Sequence, residues 1–316
     1  MPTGIPQGSN LATLLFIVYI NDIKYFVKDS KILLFIDDLK IFIELKNNSC
    51  INLIQNDLNN VCLWAKQNGF VFNILKSYAM LYSKVKADSH SIYISNSLIP
   101  NTDEIKDLGI IFQNNLKFNK HIDSIIFKAK RKINFIKFYC KRFTNVNLII
   151  KIYNSIVKSN LMYGSTLWNP NNIGTITSLE KVQLLFLRFL SYKTDKPMSY
   201  IDHNYDPIMN FTKITSLELS GALNDLKFFF KLINNITKSP ELLTKIKFYS
   251  PVNPIRNPTL IFLVDNKLLI YSIIQRICYL ANLNKNWIKI KELSLYQFIK
   301  LIKDNEVILK LPIQKI

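Results

Sequence analysis

Cysteine, histidine and acidic residues are scarce in this sequence, and each shortage narrows the possibilities. The four cysteines (Cys50, Cys62, Cys140, Cys278) form no C-x-x-C pair, and the three histidines (His90, His121, His203) lie far from them. Neither a zinc knuckle nor a disulfide framework is indicated, and a reducing intracellular compartment, cytoplasmic or nuclear, fits best. Long apolar runs are also missing. The longest, Leu14 to Ile20, stops at Asn21-Asp22, well short of the roughly 18 residues of a membrane span. A basic n-region followed by a small-residue cleavage site is absent as well, so no secretory signal is visible.

What is present is a large apolar content, 49% of 316 residues, enough for a substantial core in one large or two to three small domains. The 41 basic residues exceed the 22 acidic ones, leaving a net charge of +19. Such an excess favours a polyanionic partner, nucleic acid or an anionic membrane surface. Only Arg131, Arg142, Arg188, Arg256 and Arg276 are arginine, and the chain is rich in Asn, Ile, Tyr and Phe. AT-rich codon usage produces the same lysine-heavy balance, so the charge alone leaves both explanations standing.

Thr3-Gly4-Ile5-Pro6-Gln7-Gly8-Ser9 reads as a loop, with Ser9 placed to cap a helix whose Leu11, Leu14, Leu15 and Val18 share one face. Ile32 to Ile36 and Leu39 to Ile43 are apolar, β-branched runs separated by Asp37-Asp38, which predicts a tight hairpin with both carboxylates at its tip. Ser49 can cap a second helix bearing Ile51, Ile54, Leu58 and Val61, with Asn68-Gly69 as its stop. Short strands are expected at Tyr78 to Tyr82, Ser91 to Ile94 and Leu108 to Phe112, giving an α+β layer with one antiparallel sheet backed by helices.

From Asn119 the period becomes helical: Ile122, Ile125, Ile126, Ala129, Ile133 and Ile136, then Ile152, Ile156 and Leu161, then Leu179, Val182, Leu185 and Leu190. Pro197 and the stretch holding Pro251, Pro254 and Pro258 interrupt it, with helices resuming at Leu268 to Leu283 and near the C-terminus. Trp64 and Trp168 read as core or interface anchors.

Adjacent Asp37 and Asp38 carry the sharpest chemical signal, because neighbouring carboxylates repel until a cation or proton neutralises them. Aspartate is common in turns, however, and an isolated I-D-D-L hairpin is weak evidence of catalysis. Order adds weight. Gly4-Ile5-Pro6-Gln7-Gly8-Ser9, Tyr19-Ile20-Asn21-Asp22, Leu34-Phe35-Ile36-Asp37-Asp38-Leu39-Lys40, Asn73-Ile74-Leu75-Lys76-Ser77 and Lys106-Asp107-Leu108-Gly109-Ile110 follow one another in the sequence. The series resembles motifs B to E of non-LTR retrotransposon reverse transcriptases of the jockey and LINE type. Tyr163-Gly164, Trp168-Asn169-Pro170, Glu180-Lys181-Val182-Gln183, Phe186-Leu187-Arg188, Leu217-Glu218 and Asp225-Leu226 continue the likeness over nearly the whole chain.

The resemblance implies a partial polymerase palm over residues 1–115, a helical thumb-like region over 116–195, and a helical C-terminal region of unknown role over 196–316. It implies RNA-directed DNA synthesis by two-metal nucleotidyl transfer in the intact family, with an RNA template, a DNA primer and deoxynucleoside triphosphates as partners and no membrane. Asp37 and Asp38 would face Mg²⁺, Lys76 would serve the triphosphate, and Gln7, Gly8, Ser9 and Phe35 would line the substrate pocket. Leu108 and Gly109 would support the primer grip, and Lys128, Lys130, Arg131 and Lys132 would follow the template–primer backbone, with Tyr139 and Phe143 nearby. Without the resemblance, Gly8 is a turn residue, Lys76 a surface lysine, Leu108-Gly109 a bulged strand, and the lysines a solvated helix face.

Two departures stand out. The family's first metal-binding aspartate, in motif A, precedes motif B and has no counterpart here, so the expectation is a truncated polymerase that holds Mg²⁺ weakly or not at all and is inactive alone. Ile36 also replaces the small alanine usual before the aspartate pair, a change expected to suit a strand. The alternatives are a non-catalytic basic nucleic-acid-binding remnant and an incidental retroelement fragment with no retained role.

Overall fold

The computed structural model describes residues 9–47, 49–83, 90–194, 206–249, 261–264, 272–283 and 293–303. They fall into two units, Met1–Lys117 and Phe118–Ile316.

In the first unit, Ser9 accepts a hydrogen bond from the Ala12 N–H at 3.0 Å and starts α1 (Asn10–Ile20), as its residue type predicts. A 3-10 turn (Asn21–Phe26) leads to β1 (Lys31–Phe35), which pairs antiparallel with β2 (Asp38–Phe42). The loop into β1 is pinned by Asp57, 1% exposed, whose carboxylate accepts the N–H groups of Lys28, Asp29 and Ser30 at 2.7 to 3.0 Å. Asp57 lies on α2 (Ser49–Gln67). This helix ends where Asn68-Gly69 predicts: Gly69 takes φ +72°, and the N–H groups of Phe70 and Gly69 donate back to the Ala65 and Lys66 carbonyls. Phe70 then stacks on Trp64, whose Nε1 donates to Asp22 at 3.1 Å.

Beyond α2, β3 (Tyr93–Ile94) pairs with β4 (Ser97–Leu98), and β5 (Glu104–Asp107) pairs with β6 (Ile110–Gln113). The expected single sheet is therefore corrected: the described strands form separate two-stranded hairpins. Tyr78 to Tyr82 contributes only the isolated bridge from Ala79 to Asn101. Leu108, expected to open a strand, instead lies in the two-residue turn before β6, with Leu108 at φ +44° and Gly109 at +87°. Positive φ at both central residues matches the right-handed twist of a short hairpin, so turn geometry outweighs the β propensity of the sequence. The predicted apolar face of α1 is not covered by the described residues either. Leu11, Leu14, Leu15 and Val18 are exposed, and it is Ile20, with Ile23 just beyond, that joins Val61, Trp64 and Ala65 in the core.

The second unit is helical. Its elements are α3 (Asn119–Tyr139), α4 (Val146–Tyr153), a π turn (Asn154–Lys158), α5 (Ser159–Leu161), α6 (Ser165–Trp168) and α7 (Ile173–Thr194). They continue with α8 (Asp206–Thr212), α9 (Leu217–Ile233), α10 (Pro240–Leu243), the pair β7 (Phe248–Tyr249) and β8 (Ile261–Phe262), α11 (Ile273–Asn282) and α12 (Leu295–Lys303). Ile122, Ala129, Ile133 and Ile136 are buried as predicted. In the next segment the buried positions are Ile149, Tyr153, Val157 and Leu161, not the expected Ile152 and Ile156. A four-residue spacing outruns the 3.6-residue helical period, and the π turn absorbs the difference. Tyr153 stacks on Phe186 with ring centroids 3.9 Å apart, and its hydroxyl donates to Gln183 at 3.1 Å. Around α9 a second cluster gathers Leu226, Phe229, Ile277, Leu280, Phe298 and Ile302. Pro197, Pro251, Pro254 and Pro258 lie outside the described residues.

Candidate active site

The acidic hairpin forms, shifted by one residue from its sequence-based register. Phe35 pairs with Asp38, so the turn is Ile36-Asp37 and Asp38 opens β2. Only Asp37 stands at the tip. Ile36 holds φ +54°, a conformation in which a β-branched side chain crowds its own backbone. The expectation that Ile36 suits a strand is thus overturned: it occupies the turn and strains it. Asp37, Asp38 and Phe35 are all exposed, and the two carboxylates make no hydrogen bond or ion pair with described residues.

From β2 the Lys40 ammonium reaches the Asp107 carboxylate at 2.6 Å. Asp107 ends β5, immediately before the Leu108-Gly109 turn, so the pair joins the acidic hairpin to the β5–β6 hairpin. The Tyr82 hydroxyl, its pKa pushed up by burial and secondarily by the Asp107 carboxylate, belongs to the same neighbourhood. Sequence reading passed over Lys40 as a contact. The alternating pattern shows which residues line a strand face, but not which neighbouring hairpin supplies the partner.

Lys76 ends the 3-10 turn Ile74–Lys76, exposed, with no hydrogen bond or ion pair joining its ammonium to the acidic hairpin. Ser9 uses its oxygen as the α1 cap. Gln7 and Gly8 lie outside the described residues.

In the second unit, α3 turns its isoleucine stripe inward and exposes Lys128, Lys130 and Arg131, with Lys132 half-buried. Phe127, Phe135, Phe138 and Tyr139 interleave with these cations and are 55% to 75% exposed. Arg131 lies over the Phe127 ring at 5.9 Å, and Phe135 and Tyr139 meet at 4.3 Å. Phe127, Phe135 and Phe138 were missed in the sequence, although their helical spacing opposite Ile133 and Ile136 is a usable signal.

Mg²⁺ takes hard oxygen ligands octahedrally and is commonly held by one or two carboxylates, with water and phosphate completing the shell. Asp37 and Asp38 fit that minimal role. Among the described residues no group of three or more His, Cys, Asp or Glu side chains gathers to form a fuller metal cage.

Comparison with known proteins adds three relatives and one family. Residues 2–112 match the family described as reverse transcriptase (RNA-dependent DNA polymerase). An uncharacterized protein of Caenorhabditis elegans is 28% identical over 140 residues, covering 44% of this chain and 68% of that protein. The RNA-directed DNA polymerase from mobile element jockey of Drosophila funebris is 25% identical over 200 residues, 59% of this chain and 21% of that protein. The probable RNA-directed DNA polymerase from transposon X-element of Drosophila melanogaster is 23% identical over 195 residues, 60% and 22%. The chain thus spans about a fifth of the length of these two polymerases. No solved structure matches it.

Proposed function

We propose, for a chain whose residues 2–112 belong to the reverse transcriptase family carried by non-LTR retrotransposons, that it binds an RNA template with a DNA primer and contributes Asp37 and Asp38 to nucleotidyl transfer. Residues 1–115 are read as palm, 116–195 as thumb-like, and 196–316 as a C-terminal region with a role of its own. The reading is carried by the acidic hairpin: two carboxylates unmatched by any cation among the described residues, on strands tied through Lys40 to the turn at Leu108-Gly109.

Asp37 and Asp38 would hold Mg²⁺, which when bound neutralises phosphate charge and lowers the pKa of the attacking hydroxyl. Phe35, exposed one strand position from the turn, supplies a flat apolar surface beside the site. The Lys40–Asp107 pair keeps the Leu108-Gly109 backbone in reach of a primer end. By the family resemblance, Lys76 would serve the triphosphate, and Gln7, Gly8 and Ser9 would line the substrate pocket. On α3, Lys128, Lys130, Arg131 and Lys132 neutralise backbone phosphates, while Phe127, Phe135, Phe138 and Tyr139 offer stacking faces to unpaired bases.

A second reading, non-catalytic binding of nucleic acid, is favoured by the contrast between the two regions: the α3 face carries its cations and aromatic rings on one helix, whereas the hairpin brings two carboxylates and, among the described residues, no third. Titration of the full chain with an RNA–DNA primer–template across a salt series tests both readings. A steep log-linear loss of affinity with salt supports them, and absence of retention at low salt removes both. Mg²⁺-dependent primer extension then separates the first from the second.

A further inference from the structure

Several of the sequence blocks that continue the likeness past residue 160 converge on one cavity of the second unit. Trp168-Asn169-Pro170, Leu217-Glu218 and α11 enclose a cavity of about 230 Å³. That is below the roughly 300–1,000 Å³ of ordinary ligand pockets, and suits one heterocycle rather than a nucleotide with its phosphates.

The polar groups at its wall are unusual. Arg276 is only 7% exposed. Its Nε donates to Asp225 at 2.7 Å, and its Nη2 donates to the Thr166 carbonyl and to Asp225. Nη1 keeps two N–H groups without an acceptor among the described residues. Asp225 matches the Arg276 charge, and the Asn169 amide donates to the same carboxylate at 3.0 Å. Glu218, which also lines the cavity, accepts no hydrogen bond at its carboxyl from the described residues, and burial raises its pKa. Tyr279 supplies a further aromatic ring and hydroxyl. The Nη1 donors and the Glu218 carboxyl, both on residues that line the cavity, are available to a molecule that enters it.

We propose that this cavity is a guanine-binding site, with Arg276 Nη1 donating toward O6 and N7, and the Glu218 carboxylate accepting from N1–H and the 2-amino group. Guanine alone among the common bases places two acceptors on one edge and two adjacent donors on the next. Uracil would turn carbonyl oxygens toward Glu218, and adenine has no carbonyl beside N7. A phosphate is disfavoured because Asp225 already balances Arg276 and Glu218 adds negative charge. The inference does not rest on the hairpin: no residue of the first unit lines the cavity.

Equilibrium dialysis of the full chain tests it with guanosine, inosine, adenosine, uridine and GMP. Guanosine is expected to bind about tenfold or more tightly than adenosine or uridine, with inosine, which lacks the 2-amino donor, and GMP both weaker. Glu218→Gln should weaken guanosine about tenfold without lowering the thermal midpoint. Should that variant fold poorly, the guanosine-to-inosine ratio on the unaltered protein decides the matter. Equal binding of all nucleosides, no guanosine binding, or N-acetyltryptophanamide binding as tightly as guanosine would overturn the proposal, the last by assigning the cavity to a protein side chain. A uridine nonamer with one central guanosine, compared with one lacking it, distinguishes sources. A gain from the guanosine assigns the site to a base within a strand, and no gain beside tight free guanosine assigns it to the nucleoside.

Discussion

Lys40 and Asp107 meet at 2.6 Å and hold two hairpins of the first unit together, one bearing Asp37 and Asp38, the other turning at Leu108-Gly109. Both side chains are partly exposed, 36% and 24%, so the pair contributes only about 0.2–1 kcal/mol. Its value lies in orientation. Lys40→Met is expected to leave the thermal midpoint nearly unchanged while hydrogen exchange quickens at the amides of Asp38 and Ile110. Unchanged exchange at both would show that the pair does not restrain the hairpins.

The strained turn makes a prediction of opposite sign. A non-glycine residue in the left-handed region costs roughly 1–2 kcal/mol, and Ile36 holds φ +54°. Ile36→Gly removes that cost but adds roughly 0.5–1 kcal/mol of backbone entropy, for a net gain of about 0.5–1 kcal/mol. Urea denaturation should show a higher midpoint, and a lower one would contradict the turn geometry.

Close packing in the second unit rests on Gly221. A Cβ built there would fall 2.6 Å from Asn169 Oδ1, forcing Asn169 away from Asp225. Gly221→Ala is therefore expected to destabilise by about 1–3 kcal/mol, measured by denaturant midpoint. An unchanged midpoint would mean that Asn169 yields without loss.

Acid and base should act on different carboxyls. Burial raises the Asp57 pKa, but the backbone N–H groups of Lys28, Ser30 and Asp29 outweigh it and bring the pKa below 3.8. Its stabilisation is complete above that unfolded value and is lost as pH falls through the lower folded value. Glu180 is the reverse: burial raises its pKa above 4.5, only partly offset by backbone N–H groups of Glu218 and Leu217. Its favourable contribution is complete below pH 4.5 and disappears as pH rises through the folded value. Glu180→Gln should accordingly raise the melting temperature more at pH 7.5 than at pH 4.5, whereas Asp57→Asn should cost most at neutral pH and least in strong acid. Parallel melting curves across pH would contradict both.

Local chemistry was the legible part of this sequence. Ser9 as a cap, Gly69 as a stop, the isoleucine face of α3 and the existence of the acidic hairpin all follow from residue type and spacing. What failed was register and partnership. Asp38 pairs with Phe35 because a two-residue turn closes at Ile36-Asp37, although Ile36 favours extended backbone. The buried face of α4 moved by one residue because the π turn changes the period within the segment. Lys40 with Asp107 and Arg276 with Asp225 join positions far apart in the chain, and no local pattern encodes such pairs.

Asp37 and Asp38 are expected to act as metal ligands, and Mn²⁺ titration of the isotopically labelled full chain reads this directly. Amide resonances from Phe35 to Leu39 should broaden first and lose that broadening in the Asp37→Asn, Asp38→Asn double variant. Equal broadening in both proteins, or broadening centred elsewhere, would contradict the assignment.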